Sequence, residues 1–242
     1  MSAPSLMAAT WNTEWRKAAS PDARLMRDRL LALSPDIICL TEAYAELLDE
    51  EGYLIEAEPD YGYPIIPGRR KVVLWSREPW NEVDSIGHPT MPPGRFVAGR
   101  TSTPAGEIRV VGVCIPWRDA HVRSGRRDRA NWEDHLAHLE GLEALACGWT
   151  GPTIVLGDFN QRVPRGTAPA HVYAALESAL LGRYQVATSG PLPPLGRPAI
   201  DHVVHSGDFE AQDVTALSNL AENGHRISDH FGVAVRLVAL SR

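Results

Sequence analysis

Five short groups of polar residues stand where apolar segments of this sequence end. They contain Asn12, Glu42, Asp158 with Asn160, Asp201, and Asp229 with His230. In sheets of α/β proteins, ligand sites form at strand ends and in the loops that follow them. We therefore expect the five groups to meet at one edge of a folded domain.

The residue types in these groups fit one kind of chemistry. Four carboxylates near each other need a cation, and hard oxygen donors without a cysteine partner point to Mg²⁺ or Mn²⁺ rather than structural zinc. The two asparagines add neutral groups that bind a phosphate oxygen or orient a water. His230 would serve as a general acid or base, with a carboxylate fixing its tautomer. A metal, a water and an anionic ester together describe metal-assisted phosphoester hydrolysis.

Other interpretations exist for each group alone. A single Asn12 or Glu42 also fits a helix cap or a surface position, and Gly157-Asp158-Phe159-Asn160 also fits a simple turn. Ser228-Asp229-His230 contains the residue types of a serine hydrolase. Three adjacent residues cannot form that triad, and the chain has no Gly-x-Ser-x-Gly elbow. The order of the groups is therefore more informative than any one of them.

The elements that must position these residues alternate between short apolar strands and amphipathic helices. Ser20-Pro21 predicts the start of a helix that ends at Leu33. Further helices are predicted at Arg126–Trp149 and Ala170–Leu180. The predicted strands are Leu6–Trp11, Ile37–Leu40, Lys71–Trp75, Phe96–Thr101, Ile108–Ile115, Thr153–Leu156, Ile200–His205, Phe209–Leu217 and Gly232–Leu240. This pattern predicts an α/β (or α+β) fold with mixed sheets, helices outside them, and one domain over residues 1–242.

Composition excludes several classes of protein. Among 242 residues no apolar run approaches the roughly 20 needed to span a bilayer. The first seven residues do not have the pattern of a secretory signal. Cys39, Cys114 and Cys147 lie far apart in apolar stretches, which predicts buried thiols and a reducing cytoplasm rather than disulfides. The net charge of −6 does not attract nucleic acid to the chain as a whole.

In their order and spacing, the polar groups resemble the motifs of the endonuclease/exonuclease/phosphatase superfamily. The matching segments are Thr10-Trp11-Asn12, Thr41-Glu42, Gly157-Asp158-Phe159-Asn160, Ile200-Asp201-His202 and Ser228-Asp229-His230. The resemblance extends from residue 6 to residue 240. It implies a four-layer sandwich in which two packed mixed β-sheets are flanked by helices.

The resemblance also implies a role for each residue. Glu42 resembles the principal metal ligand, with Asn12 and Asp229 as direct or water-mediated ligands of Mg²⁺ or Mn²⁺. The catalytic residues it implies are Asp158, which positions or deprotonates the attacking water, Asn160, which holds the phosphate, His230, which contacts the scissile phosphate, and Asp201, which orients His230. Pairing with Asp201 predicts a raised pKa for His230.

Candidate substrate contacts are less regular. Gly94-Arg95-Phe96-Val97 resembles a stretch in which some nuclease members place a substrate-contacting arginine. The chain departs from the family in having Arg69, Arg70 and Lys71 together, and in having Cys114 and Trp117 where some members place a catalytic Tyr, His or Asn. That role is either absent or moved to Arg118 or His121. Arginines from 118 to 129 could form an anion-binding rim at the start of the predicted helix, or a solvated loop.

These observations predict a cytoplasmic, Mg²⁺-dependent phosphoester hydrolase with no membrane association. Duplex DNA binders usually carry basic stripes, whereas this chain is acidic overall, so a compact phosphoester is favoured as substrate. A DNA endonuclease or exonuclease is the first alternative. A non-catalytic binding module on the same scaffold is the second. The sequence leaves the oligomeric state open.

Overall fold

Two six-stranded β-sheets pack face to face in the computed structural model, which describes residues 3–48 and 52–240. From edge to edge, the first sheet contains β13 (Phe209–Leu217), β14 (Gly232–Ala239), β1 (Ser5–Asn12), β2 (Ile37–Tyr44), β4 (Arg69–Ser76) and β3 (Tyr53–Glu56). The second contains β5 (Trp80–Asp84), β6 (Phe96–Thr103), β7 (Gly106–Cys114), β8 (Thr153–Asp158), β12 (Asp201–His205) and β9 (Gln185–Val186). A small hairpin joins β10 (Pro191–Leu192) to β11 (Arg197–Pro198). The ends of the predicted domain, residues 1–2 and 241–242, lie outside the described residues.

Helices cover the outer faces of both sheets. Helix α1 (Pro21–Leu31) packs on the first sheet, while α2 (Glu133–Ala146) and α3 (Ala170–Leu176) pack on the second. The predicted start of α1 is confirmed, because the Ser20 hydroxyl accepts a hydrogen bond from the Ala23 N–H. Helix, sheet, sheet, helix is the predicted four-layer sandwich. Within the described residues, no helix is long and apolar enough to cross a membrane.

The two sheets share one plan. Each has a single parallel pair at its centre, β1 with β2 and β7 with β8, and a helix connects the two strands of each pair. All other neighbouring strands in the two sheets are antiparallel. The carboxyl ends of the parallel strands therefore lie beside the amino ends of β4, β6, β12 and β14. Polar groups from both kinds of end are brought to one edge.

Successive side chains along the strands pack alternately on the two faces of each sheet. In β4, Val72 and Leu74 belong to the core between the sheets, whereas Val73 and Trp75 pack in the layer that contains α1. Period-two alternation of this kind is what a strand covered on both faces requires. The apolar packing on both faces keeps the strand ends in fixed positions relative to one another.

Two predicted helices differ from those observed. The helix predicted from Arg126 begins only at Glu133, because Trp132 has left-handed backbone (φ 69°) and cannot continue a helix toward the amino end. The arginines before it therefore belong to a loop and not to a helix N-terminus. The helix predicted at Ala170–Leu180 is observed as α3, which ends at Leu176, followed directly by a π-helical turn at Glu177–Leu181. The short strands β3, β5, β9, β10 and β11 are absent from the sequence-based prediction.

The cysteines are only partly as predicted. Cys39 and Cys114 are buried, and burial raises the pKa of the Cys114 thiol to about 12. Cys147 is exposed, contrary to the prediction, because it caps the carboxyl end of α2 instead of lying within the apolar face.

Candidate active site

The five polar groups meet at one edge of the two-sheet sandwich. Asn12 and Asp158 end β1 and β8, which are central strands of different sheets. Asp201 begins β12 and lies opposite Asp158 in the antiparallel register. His230 lies two residues before β14, the antiparallel partner of β1. The shared plan of the sheets thus explains why residues far apart in sequence become neighbours.

These residues surround a cavity of about 240 Å³. Its lining consists of Asn12, Glu42, Lys71, Arg95, Cys114, Trp117, Asp158, Asn160, Asp229 and His230. Asp201 lies behind His230 and supports it. The cavity therefore contains carboxylates, amides, an imidazole and two cations within one small space.

Asp158 is the most tightly held carboxylate of the site. Its Oδ2 accepts hydrogen bonds from the Nδ2 atoms of Asn12 (3.1 Å) and Asn160 (3.0 Å), and its Oδ1 accepts from the backbone N–H of Asn160 (2.9 Å). Burial raises the pKa of Asp158 to about 7, against the lowering effect of the nearby imidazolium of His230. Gly157 precedes it at φ 135°, and a Cβ there would collide with the Val113 carbonyl oxygen. Only glycine fits, so the residue before Asp158 is fixed by packing.

His230 and Asp201 form a closely bonded pair. His230 Nδ1 lies 2.5 Å from Asp201 Oδ2, and His230 Nε2 lies 3.9 Å from Oδ1 of Asp229, which lines the same cavity. Burial lowers the pKa of His230, but the charges of Asp201 and Asp158 and the hydrogen bond to Asp201 outweigh it and raise this pKa to about 10. The pairing therefore has the effect predicted from the sequence, and the imidazole is cationic at neutral pH.

Glu42 and Asp229 occupy the more open side of the cavity. Glu42 Oε1 lies 2.6 Å from the ammonium of Lys71. Asp229 is about half exposed. Glu42 and Asn160 both have left-handed backbone, with φ of 48° and 51°, which is uncommon for residues other than glycine. Strained backbone conformations of this kind cluster at active sites and ligand-binding sites, where the surrounding structure holds a side chain in a required position.

Two sets of side chains could bind a cation. The ligand atoms of Asp158, Asp201 and His230 all lie within 4.8 Å of one another. In this set His230 Nδ1 is taken by Asp201 Oδ2, and both oxygens of Asp158 accept hydrogen bonds from asparagines. Glu42, Asp229 and Asn12 instead offer hard oxygen donors beside a solvent-accessible cavity, which is the donor set that Mg²⁺ prefers.

The substrate contacts predicted from sequence are dispersed. Arg95 is 2% exposed and lines the cavity, with its Nη1 3.5 Å from the Cys114 carbonyl oxygen. Arg69 lies in the neighbouring cavity. Arg70 points the other way, as alternation along β4 requires, and pairs with Glu56 at 2.7 Å. Arg118 is exposed and pairs with Asp119 at 3.0 Å.

His121, the fifth of these contacts, is fully buried and has no free ring nitrogen. Its Nδ1 lies 2.6 Å from Asp134 Oδ2 and its Nε2 lies 3.0 Å from the Gly62 carbonyl oxygen. Both nitrogens are thus used inside the protein. We therefore exclude His121 and Arg70 from the substrate contacts proposed below.

Sequence reasoning missed several residues around the site. Lys71 is recognisable as basic, but its position against Glu42 follows only from the pairing of β2 with β4. Trp15, Tyr61 and Tyr63 lie in loops beside the cavity. The available signal is the aromatic content of the Gly- and Pro-containing loop 59–68, together with a tryptophan three residues after Asn12.

A two-sheet sandwich with carboxylates, asparagines and a supported histidine at one edge defines a class of phosphoester hydrolases. The sequence matches the Endonuclease/Exonuclease/phosphatase family over residues 9–230, and the chain belongs to that family. Members of this family are metal-dependent hydrolases of phosphoester bonds. Among curated proteins, no sequence matches this chain.

Solved structures share the fold. An endonuclease/exonuclease/phosphatase from Beutenbergia cavernae DSM 12333 is similar with a TM-score of 0.68 and 17% identity, covering 98% of this chain and 72% of that one. An AP endonuclease from Archaeoglobus fulgidus gives 0.67 and 15%, covering 95% and 98%. The 3′ phosphatase NExo from Neisseria, bound to a product DNA hairpin, gives 0.65 and 17%, also covering 95% and 98%. At these identities the likeness concerns the fold.

Proposed function

We propose that this chain is a Mg²⁺-dependent hydrolase of compact phosphoesters, such as a nucleotide, a phosphorylated metabolite or an oligonucleotide end. The observation that carries the proposal is the shared cavity of Asp158, His230 and Glu42. It places a held carboxylate, a supported imidazole and an open oxygen ligand around one small space. We propose further that residues 1–242 act as one domain, in the cytoplasm.

In the proposed mechanism Asp158 positions and deprotonates the attacking water. The amides of Asn12 and Asn160 hold its carboxylate from two sides, so one orientation is fixed before a water arrives. Asp158 accepts a proton from that water as the water oxygen bonds to phosphorus, while the bond from phosphorus to the ester oxygen breaks and that oxygen leaves as an alcohol that takes its proton from solvent. General base assistance of this kind contributes roughly 10²- to 10⁴-fold to a rate.

His230 and Arg95 act on the phosphate. His230 Nδ1 is occupied by Asp201, so Nε2 is the nitrogen that donates a hydrogen bond to a phosphate oxygen. The buried guanidinium of Arg95 adds positive charge from the second sheet. Both hydrogens of the Asn160 amide are used, at Asp158 Oδ2 (3.0 Å) and at the Ile115 carbonyl oxygen (2.8 Å), so Asn160 acts on the phosphate through the carboxylate that it holds and not by direct contact, unlike the role implied by the resemblance. Donors fixed before the reaction stabilise the charge that develops in the transition state.

The cation would be held by Glu42, Asn12 and Asp229. When bound, Mg²⁺ (or Mn²⁺) polarises a phosphoryl oxygen and neutralises developing charge. Lys71 occupies Oε1 of Glu42 at 2.6 Å, so Oε2 is the oxygen that Glu42 would offer to the cation. Glu42 Oε2 and the half-exposed Asp229 carboxylate offer further oxygen ligands.

Substrate size is inferred from charge and shape. The net charge of −6 opposes the approach of long polyanions, and the cavity of about 240 Å³ suits one phosphate ester. DNA remains the alternative substrate, and the names of the structural neighbours include enzymes of DNA. Salt dependence separates the two, because duplex binding weakens steeply as salt rises.

The test is hydrolysis of a phosphomonoester, phosphodiester, plasmid and abasic-site DNA panel, with Mg²⁺, Mn²⁺ or EDTA at two salt concentrations. We expect metal-dependent turnover of small esters that is lost with EDTA and strongly reduced in Glu42→Gln. Glu46→Gln, an exposed glutamate four residues along, is the matched control. Hydrolysis that survives EDTA would contradict the metal assignment. DNA cleavage that falls steeply with salt would favour a nuclease, and inactivity across the panel would favour a binding module.

A further inference from the structure

A second cavity of about 370 Å³ opens beside the first. Its lining consists of Trp15, Tyr61, Tyr63, Pro64, Ile66, Arg69, Lys71, Trp117 and Ser124. Lys71 and Trp117 line both cavities, so the two are adjacent. We call the second one the aromatic cavity. Family membership and the proposed reaction leave it without a role.

The aromatic rings of this cavity form a row. Trp15 stacks on Tyr61 with ring centroids 5.5 Å apart and an angle of 22° between the planes. Tyr61 lies 5.9 Å from Tyr63, and Tyr63 stacks on His121 at 4.5 Å. His121 is itself fixed by Asp134 and by the Gly62 carbonyl. The row is therefore anchored at its inner end by His121, and its other end is Trp15, which is partly exposed.

Two cations accompany the aromatic faces. Arg69 Cζ lies 4.9 Å and Lys71 Nζ lies 5.0 Å from the centroid of the Trp15 ring. Trp117, on the far side, is about half exposed. Aromatic faces bind planar π-systems, and the cations favour a ligand with hydrogen-bond acceptor atoms and a nearby negative charge. A nucleobase attached to a phosphate has all three features.

The backbone connects the aromatic cavity directly to the reaction site. Trp15 N–H donates to the Glu42 carbonyl oxygen at 2.8 Å, and Glu14 N–H donates to Asn12 Oδ1 at 2.9 Å. Glu14 and Trp15 both have left-handed backbone, with φ of 50° and 58°. Two successive strained residues are retained only where the surroundings determine them strongly. The backbone of Trp15 is thus held beside two candidate metal ligands.

The geometry points to a nucleobase subsite: the aromatic cavity stacks the base of a nucleotide phosphoester whose phosphate lies among Glu42, Asp158 and His230. A single lysine side chain, Lys71, contacts Glu42 at one site and lies over the Trp15 ring at the other. One nucleoside therefore bridges the two cavities. This inference rests on the proposed function and makes its substrate a nucleotide.

The test compares the binding of adenosine 5′-monophosphate and ribose 5-phosphate by calorimetry, since the two differ only in the base. Base–aromatic stacking of the strength usual for nucleic-acid proteins predicts a dissociation constant at least about 5-fold lower for the nucleotide. Trp15→Ala is expected to remove most of this difference and Trp15→Phe to retain part of it. The matched control is Tyr53→Ala. Tyr53 is an exposed aromatic residue of β3 that pairs with Ser76, at the end of β4 away from Lys71, so this variant should bind like the parent chain.

The outcomes separate the subsite from the proposed function. Equal affinity for the two ligands in the unmodified chain would overturn the subsite, and this comparison needs no variant to fold. A difference that Trp15→Ala leaves intact, in a variant with the parent circular dichroism spectrum, would also overturn it. Base-dependent binding without hydrolysis of any phosphoester in the panel would refute the proposed function and leave the subsite standing.

Discussion

The molecule contains two histidine–aspartate pairs of almost equal geometry. His230 lies 2.5 Å from Asp201 and His121 lies 2.6 Å from Asp134, and both aspartates are almost fully buried. The pairs differ in what surrounds them. His230 has Nε2 on the side of a cavity, whereas the Nε2 of His121 is hydrogen-bonded to the Gly62 carbonyl oxygen.

The aspartates differ in the same sense. Asp134 uses both oxygens, since Arg129 Nε donates to Oδ1 at 2.8 Å while His121 contacts Oδ2. Asp201 Oδ1 is buried and has no hydrogen-bond partner among the described residues. Fully satisfied pairs rigidify a fold, and unsatisfied polar groups concentrate where chemistry occurs. The role of a His–Asp pair is therefore indicated by which of its nitrogen and oxygen atoms have no hydrogen-bond partner, and not by the distance between the two side chains.

The largest expected effect belongs to His230→Ala. We expect turnover to fall by at least about 10²-fold, because a general acid or transition-state donor is lost. Steady-state kinetics on whichever ester the substrate panel identifies would measure it. His225→Ala, an exposed histidine paired with Asp22, is the control and should keep normal turnover. Near-normal turnover in His230→Ala would remove His230 from the mechanism.

His121→Ala should act on stability instead. Its loss leaves Asp134 Oδ2 and the Gly62 carbonyl short of a partner, so we expect the free energy of unfolding to fall by about 1–3 kcal/mol. Urea denaturation measures this change. His121→Gln should recover part of it, because one donor is kept. A hundredfold loss of turnover with unchanged stability would show that the two pairs share one role.

Asp201→Asn tests the electrostatic part of the difference. The negative charge of Asp201 helps to raise the pKa of His230, so removing it should lower that pKa from about 10 by about 1 or more. An NMR titration of the His230 ring protons measures the shift. Asp22→Asn, beside the exposed His225, serves as control and should leave the His230 titration unchanged. An unaltered His230 pKa in Asp201→Asn would mean that Asp201 supports the ring by geometry alone.

The smallest effect concerns a third histidine, which has no hydrogen-bond partner at either ring nitrogen among the described residues. Burial lowers the pKa of His138 to about 3, with a further contribution from Arg95. Below about pH 6.5 the His138 imidazole takes up a proton in the unfolded chain but not in the folded chain. The free energy of unfolding therefore decreases as the pH falls through that range. His138→Leu should reduce the stability lost between pH 7 and pH 5.5 by about 1 kcal/mol. Identical pH profiles by urea denaturation would contradict this.

Much of the fold was predictable from local pattern. The strands of the central pairs and the Ser20 cap follow from apolar runs and capping residues, whereas the four-layer arrangement was implied by the resemblance to the family. The start of α2 was not predictable from periodicity, because the left-handed backbone of Trp132 depends on the loop that precedes it. The short strands β3 and β5 exist only through their neighbours β4 and β6.

The sequence by itself determined which residues could do chemistry, since polar groups at the ends of apolar runs must collect where strand ends collect. Tertiary structure decided which of them can act. Arg70 and Lys71 are neighbours in sequence, yet alternation directs one to Glu56 and the other to Glu42. His121 and His230 each pair with an aspartate, but only packing determines whether the second nitrogen meets a carbonyl or a cavity. The chemical type of a side chain is a property of the residue, whereas its surroundings decide whether one of its hydrogen-bonding atoms remains available.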